Sequence, residues 1–190
     1  EENSYIVEGY NIPTPDIINA YETGDERKDA SIGMLTASGK QYPYIKKYCH
    51  PHALTNNTDD NWPVYRYSEV LLFLAEALNE QNKTDEALTY LNRVRNRAGL
   101  ANTSVTGQDA IREAIFKERR VELAFENKRW LDLVRSGQAE TVMKAYGERV
   151  KANPQAYYFP DGYSVASNSY LDIRLLFPLP ASEAALTPYF

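Results

Sequence analysis

Cysteine and histidine are almost missing from this sequence, which holds one Cys (Cys49) and two His (His50 and His52) in 190 residues. A lone Cys excludes an internal disulfide. "CHPH" has no second ligand cluster at the spacing a zinc site needs, and no Glu-x-x-His pair of the kind a di-metal helix bundle uses is present. No metal or cofactor is therefore expected. Long hydrophobic runs are also absent: no window approaches the roughly 20 apolar residues of a membrane span. The opening "EENSYIVEGYNIPTP" lacks the charged-then-apolar layout of a signal peptide. The chain is expected to be soluble, cut from a larger protein, with any export signal outside it. A basic tract is missing too. With 21 Lys+Arg against 26 Asp+Glu and a net charge of -5, nucleic acid is excluded as a partner. The sequence has no Gly-rich phosphate loop, no G-x-S-x-G elbow, and no Cys/His pair with a third residue to orient it, so nothing in it announces an enzyme.

Tyrosine is plentiful instead, at 15 residues against 6 Phe and 2 Trp, and most of it falls in segments rich in Pro, Asn and Gly. A flat apolar face with a polar tip suits a wet interface or a sugar-stacking platform, and equally suits packing over the edge of a core. One domain of ordinary size accommodates residues 1–190. Residues 1–60 read as loops with one short helix, "TPDIINAYETGD", in which Thr14 caps, Pro15 opens the first turn and Gly24 closes it. "KQYPYIKKYCHPH" is the best strand candidate. Residues 61–150 form a helical core, and residues 151–190 an irregular tail whose "LLFPLP" prolines forbid a central strand.

In the helical part, Val70, Leu71, Leu74, Ala75 and Leu78 repeat at helical spacing, and Tyr67, Phe73 and Ala77 widen the arc, so this helix is expected to be buried over much of its circumference. A second helix begins with Thr84 as N-cap and ends at Gly99, with Ala87, Leu88, Leu91, Val94 and Ala98 as its core stripe. The short polar turn between them makes a tetratricopeptide-like hairpin. A third helix starts after Thr106 as N-cap and runs to Phe125, with Asn127 interrupting. "RWLDLVRSG" and "AETVMKAYGERV" give two more helices.

The third helix poses the main problem. Ile111, Ile115, Glu118, Glu122 and Phe125 fall on one face, which puts two carboxylates in a core stripe. A glycosidase would need two carboxyls facing across a cleft, one of them kept protonated. Arginines surround these carboxylates in sequence and on the hairpin, and guanidinium neighbours hold a carboxyl ionised. A structural ion-pair lattice therefore fits better than catalysis or metal binding. Its expected members are Arg66, Glu69, Glu76, Arg119, Glu122, Arg129 and Asp132, joining the hairpin to the third helix.

"RYSEVLLFLAEALNE", "ALTYLNRVRNRAGL", "ERRVELAFENKRWLDLVRSG" and "LFPLPASE", taken in order, resemble the C-terminal half of the SusD/RagB family of nutrient-binding outer-membrane lipoproteins. The resemblance implies a mainly α fold with a tetratricopeptide-like helical hairpin, further helices and long irregular loops. It also implies a non-catalytic role at the cell surface of Bacteroidetes-type bacteria. There the protein would capture an oligosaccharide or other nutrient for a TonB-dependent, SusC-like transporter, held to the membrane only by a lipid anchor outside this chain. The alternative is a helical scaffold whose hairpin binds a protein partner. For the sugar, "NPQAYYFPDGYSVASNSY" offers Tyr157, Tyr158 and Tyr163 beside Asn153, Gln155 and Asp161, with no helical period to bury them. Trp62 and Trp130 are expected to be core residues.

Overall fold

The computed structural model describes residues 11–37, 39–51 and 61–186. It is a mainly α protein with one two-stranded sheet among the described residues. Its contacts divide it into two compact units, Glu1–Arg129 and Trp130–Phe190. The division falls at the start of a helix, where no Pro-, Gly- or Ser-rich linker marks it in the sequence.

In the first unit, helices α1 (Pro15–Ile18) and α2 (Arg27–Ser31) precede an antiparallel hairpin of β1 (Ile32–Ala37) and β2 (Lys40–Ile45). Helix α1 is a single turn: Thr14 stands at its N-cap without a side-chain bond, and the chain leaves the helix at Asn19, well before Gly24. Strand β1 escapes a pattern search because Gly33 interrupts it. That glycine pairs with Tyr44, whose ring lies where a Cβ would be, so the aromatic covers the gap across the strands.

Three long helices follow: α3 (Tyr67–Glu80), α4 (Thr84–Arg97) and α5 (Gln108–Glu122). The α3–α4 turn is closed by Asn82 at φ +60 and by Lys83 N–H donating to the Leu78 carbonyl at 2.9 Å. Thr84 is the first helical residue of α4 rather than its cap, and Gly107, at φ +88, occupies the cap position of α5 in place of Thr106. The side chains of Asn79 and Gln108 each donate to the other's backbone carbonyl, at 2.9 and 2.8 Å, and so pin the end of α3 to the start of α5.

Leu71, Leu72, Ala75 and Leu78 of α3 meet Ala87, Leu91 and Val94 of α4 and Ile111 and Ile115 of α5 in one core cluster. A smaller one joins Tyr21 and Ile32 to Val121 and Ala124, beyond the other half of α5. The buried side of α3 is rotated from the expected one. Leu72 is fully buried while Val70 and Leu74 are 50% and 38% exposed, because α4 and α5 occupy only one side of the helix. Helix α5 stops at Glu122, short of Phe125, and the chain then reverses through positive φ at Phe125 and Asn127.

The second unit carries most of α6 (Arg129–Arg135), α7 (Ala139–Ala152), a 3-10 turn at Pro154–Tyr157 and α8 (Ala181–Leu186) within the tail. Tyr146 of α7 meets Tyr157 and Tyr170 edge-on, with ring centroids 5.5 and 5.6 Å away. Gly147 lets Tyr170 approach: a Cβ there would lie 2.3 Å from the Tyr170 Cβ. Gly147→Ala is expected to destabilise the protein by about 1–3 kcal/mol through overpacking, read as a shift in the denaturant midpoint. An unchanged midpoint would mean that the tyrosine cluster yields freely.

Candidate functional site

Helical period places Glu118 and Glu122 one turn apart on α5, and both are buried at 2% exposure. Arg27 of α2 reaches them with Nη1, at 2.6 Å from Glu118 and 2.9 Å from Glu122, while its other edge grips Asp25 at 2.8 and 2.7 Å. Arg95 of α4 donates to Glu118 at 3.2 Å and forks onto Glu22 at 3.0 Å. Arg66, just before α3, donates to Glu122 and forks onto Glu126 at 3.0 and 2.9 Å, and Arg97 donates to both oxygens of Glu122 at 2.7 and 2.6 Å. Lys47 pairs with Glu126. Glu22, Asp25, Glu118, Glu122 and Glu126 thus pair with Arg27, Lys47, Arg66, Arg95 and Arg97, and Glu22 with Lys117 as well.

The same cations serve the end of α5. Its last carbonyls lack helical partners, and Lys47 Nζ donates to the Glu122 and Ala124 carbonyls at 3.1 and 3.2 Å, while Tyr48 donates to that of Phe125 at 3.2 Å. Arg66 also donates to the Glu122 carbonyl. Positive charge at a helix C-terminus is favoured by the macrodipole as well.

Arg66 and Glu122 therefore lie together in this cluster. Glu69 and Arg119 belong to another, where Arg119 Nη2 is 3.4 Å from Glu69 and its guanidinium lies 4.4 Å over the Phe73 ring, with Lys128 3.2 Å from Glu69. Asp132 pairs with Arg135 in the second unit at 2.8 Å. Glu76 and Arg129 are half-buried and take no part in the pairs just described. Arg27, Lys47 and Glu126 have no signature in the sequence, since tertiary folding alone brings them together.

Burial alone would raise the Glu122 carboxyl, but hydrogen bonds from Arg66 and Arg27, with the Arg66 and Arg97 charges, hold it at about 2. For Glu118 burial outweighs Arg27 and Arg95, and its pKa is raised. This departs from the expectation that arginines keep every stripe carboxyl low. Opposite shifts on neighbouring carboxyls are what an acid–base pair requires. Here both Glu118 oxygens accept from arginines, as do both of Glu122, which is the arrangement of an ion-pair cluster. Among the described residues no group of His, Cys, Asp and Glu could hold a metal; His52 lies outside them.

The second candidate region is the segment after α7. Asn153 caps the 3-10 turn by accepting from the Ala156 N–H at 3.3 Å, and Gln155 donates to the carbonyls of Pro160 and Tyr163 at 3.4 and 3.3 Å. Tyr157 packs on Tyr146, and Tyr158 sits half-buried at φ +66. Asp161 is exposed beside Gly162 at φ +80. Tyr163 is 48% exposed and stacks on Phe159 with centroids 4.8 Å apart and planes 4° from parallel. Phe159 lies within the stretch but was not singled out by sequence.

Neither tryptophan is a core residue. Trp62 is 50% exposed and stacked on Tyr48 at 5.3 Å, and Trp130 is 36% exposed. Apolar neighbours in sequence do not bury them: Trp62 lies in the irregular segment before α3, and Trp130 shares its turn of α6 with Leu131, itself 62% exposed.

The SusD family model matches residues 21–188. The chain belongs to the SusD family. It is 31% identical over 208 residues to SusD-like protein P2 of Formosa agariphila, which covers 93% of this chain and 38% of that relative. A SusD superfamily structure from Parabacteroides distasonis superposes with a TM-score of 0.62 at 27% identity, covering 93% of this chain and 40% of its own. Surface glycan-binding protein A from Bacteroides uniformis superposes with a TM-score of 0.65 at 25% identity, covering 92% and 38%. The chain thus spans about two fifths of the length of each of these proteins.

The lattice carries a pH signature. Glu122 has a folded value near 2, below its ordinary 4.5, so its stabilisation is present above about pH 4.5 and lost as the pH falls toward 2. Glu22 shifts the same way through Arg95 and Lys117, but solvent screens it. Glu118 works oppositely, adding stability below its unfolded value and losing it as the pH rises through its raised folded value. Glu122→Gln is expected to cost about 3–5 kcal/mol at pH 7 by stranding buried arginines and to flatten the fall in melting temperature between pH 4.5 and 2. Glu118→Gln should cost less at pH 7. Equal costs, or an unaltered acid limb for Glu122→Gln, would remove the assignment.

Proposed function

We propose that the full-length protein is a non-catalytic, glycan-binding lipoprotein of the outer membrane. It captures an oligosaccharide at the cell surface and delivers it to a TonB-dependent, SusC-like transporter. The observation that carries the reading is membership of the SusD family, together with the superposition of surface glycan-binding protein A from Bacteroides uniformis on 92% of this chain. Among the described residues no helix is long and apolar enough to cross a membrane.

The sugar contact we assign to the segment Asn153–Tyr163. Its stacked Phe159–Tyr163 pair presents an exposed ring whose face suits the C–H side of a pyranose. Asp161 stands at the adjoining turn to accept from sugar hydroxyls. Tyr157, Tyr158 and Asn153 hold the segment in shape, through the Tyr146 contact, the left-handed turn and the 3-10 cap.

Calorimetric titration of the full-length protein against a glycan panel tests both parts. Tyr163→Ala should weaken binding about tenfold, or roughly 1.4 kcal/mol, with no change in melting temperature and no product released. Affinity lost instead in Trp62→Ala, with Tyr163→Ala unaffected, would move the platform to the Trp62–Tyr48 stack. Cleavage products would end the non-catalytic reading.

A further inference from the structure

A cavity of about 400 Å³ opens between the start of α3 and the last turns of α4. Arg66, Arg93 and Arg97 all line it, and among the described residues no Asp or Glu does. Helical period puts Arg93 and Arg97 one turn apart on the same face of α4, where like charges repel. Three guanidinium groups around one space are unfavourable unless something negative sits among them. The first turn of α3 adds to the positive field, because no side chain caps it and the N–H groups of an opening turn lack helical acceptors.

The nearby carboxylates do not supply that charge. Arg66 and Arg97 both turn to Glu122, which is buried and shared with Arg27 as well. Arg97 gives Glu122 only its Nη2, so its Nε and Nη1 are left over. Arg93 has no carboxylate partner among the described residues: its Nη2 donates to the Tyr67 hydroxyl at 3.1 Å, and its guanidinium lies 5.8 Å over that ring. By contrast Arg112, on the surface of α5, meets both Glu80 and Asp109. The rest of the lining says what kind of anion fits. Buried Leu71 and Val94 share the wall with the Tyr67 ring. A bare inorganic ion would fill a small part of this volume and leave its apolar part wet, whereas a ring with one charged substituent matches both.

We infer that this cavity takes an acidic sugar residue, a pyranose carrying a carboxylate or a sulfate ester, and that Arg93 and Arg97 bind its anionic group. Either group offers paired oxygens to the planar guanidinium fork, and the C–H side of the ring meets Tyr67, Leu71 and Val94. The inference rests on the glycan-binding reading and names a class of glycan for it. It uses none of the residues of the Asn153–Tyr163 segment.

Phenylglyoxal labelling of the unsubstituted full-length protein, read residue by residue by mass spectrometry at constant ionic strength, tests the site. Glucuronate and sulfated galactose should each slow labelling of Arg93 several-fold. Glucose, galactose and inorganic sulfate should not, and Arg112 should label at one rate throughout. In calorimetry Arg93→Gln should weaken binding of the two acidic sugars about tenfold, whereas Arg112→Gln should leave it unchanged. Labelling of Arg93 that neither acidic sugar slows would overturn the inference; neutral oligosaccharides that still bind would then leave the glycan-binding reading standing, and no binding of any saccharide would end both. Slowing by inorganic sulfate equal to that by sulfated galactose would overturn the sugar in favour of a simple anion site, and equal slowing by neutral sugars would overturn the acidic class. An Arg93 that does not label in the free full-length protein would overturn it too, since the cavity would then be closed.

Discussion

Buried carboxylates at the C-terminal end of a helix are doubly unfavourable, because they lose water and face the negative end of the macrodipole. Glu118 and Glu122 in the last turns of α5, with Glu126 just past it, create that problem in the first unit. Its solution recruits almost every other element there: Arg27 from α2, Lys47 after β2, Arg66 before α3, Arg95 and Arg97 from α4. Each cation can reach only if its own element is docked. The ionic cluster therefore specifies how the unit's elements are placed around α5, while the two apolar clusters on either side of it, at Ile111–Ile115 and at Val121–Ala124, supply the burial.

The opposed shifts of Glu118 and Glu122 show why electrostatics alone is a poor guide to activity. Such a pair in a cleft would suggest acid–base chemistry. In this protein every carboxylate oxygen of the pair already accepts from a guanidinium, so the shifts record burial and pairing. The exposed aromatic rings occur in irregular segments: Tyr163 on Phe159 after the 3-10 turn, Trp62 on Tyr48 before α3. Groups of this kind held on a helical framework are the common arrangement of binding proteins.

Long-period pattern made the helices legible. The α3–α4 hairpin and the stripe Ile111–Ile115–Glu118–Glu122 can both be read from residues, because each depends on neighbours within a few turns. The burial side of α3 could not, since apolar residues surround it and only the positions of α4 and α5 decide which are covered. Strand β1 was hidden by Gly33, whose missing side chain is made good by Tyr44 across the sheet. The ionic partners were half legible. Glu118 and Glu122 were conspicuous as carboxylates in a stripe, whereas Arg27, 91 residues from Glu118, is brought to them only by tertiary folding. The two tryptophans failed for a related reason: nearby apolar residues in sequence do not say which way a ring faces.

Whether the cluster is a coupled structural unit is measured directly by a double-mutant cycle on Arg66 and Glu126. The forked pair holds Glu126, which is 1% exposed, to the segment that opens α3. Denaturant unfolding of Arg66→Gln, Glu126→Gln and the double variant should give a coupling energy of about 1–3 kcal/mol, because the second substitution removes a charge that the first has stranded. Additive costs, within about 0.5 kcal/mol, would show that the ion pairs merely accompany the packing and that the cores alone set the architecture.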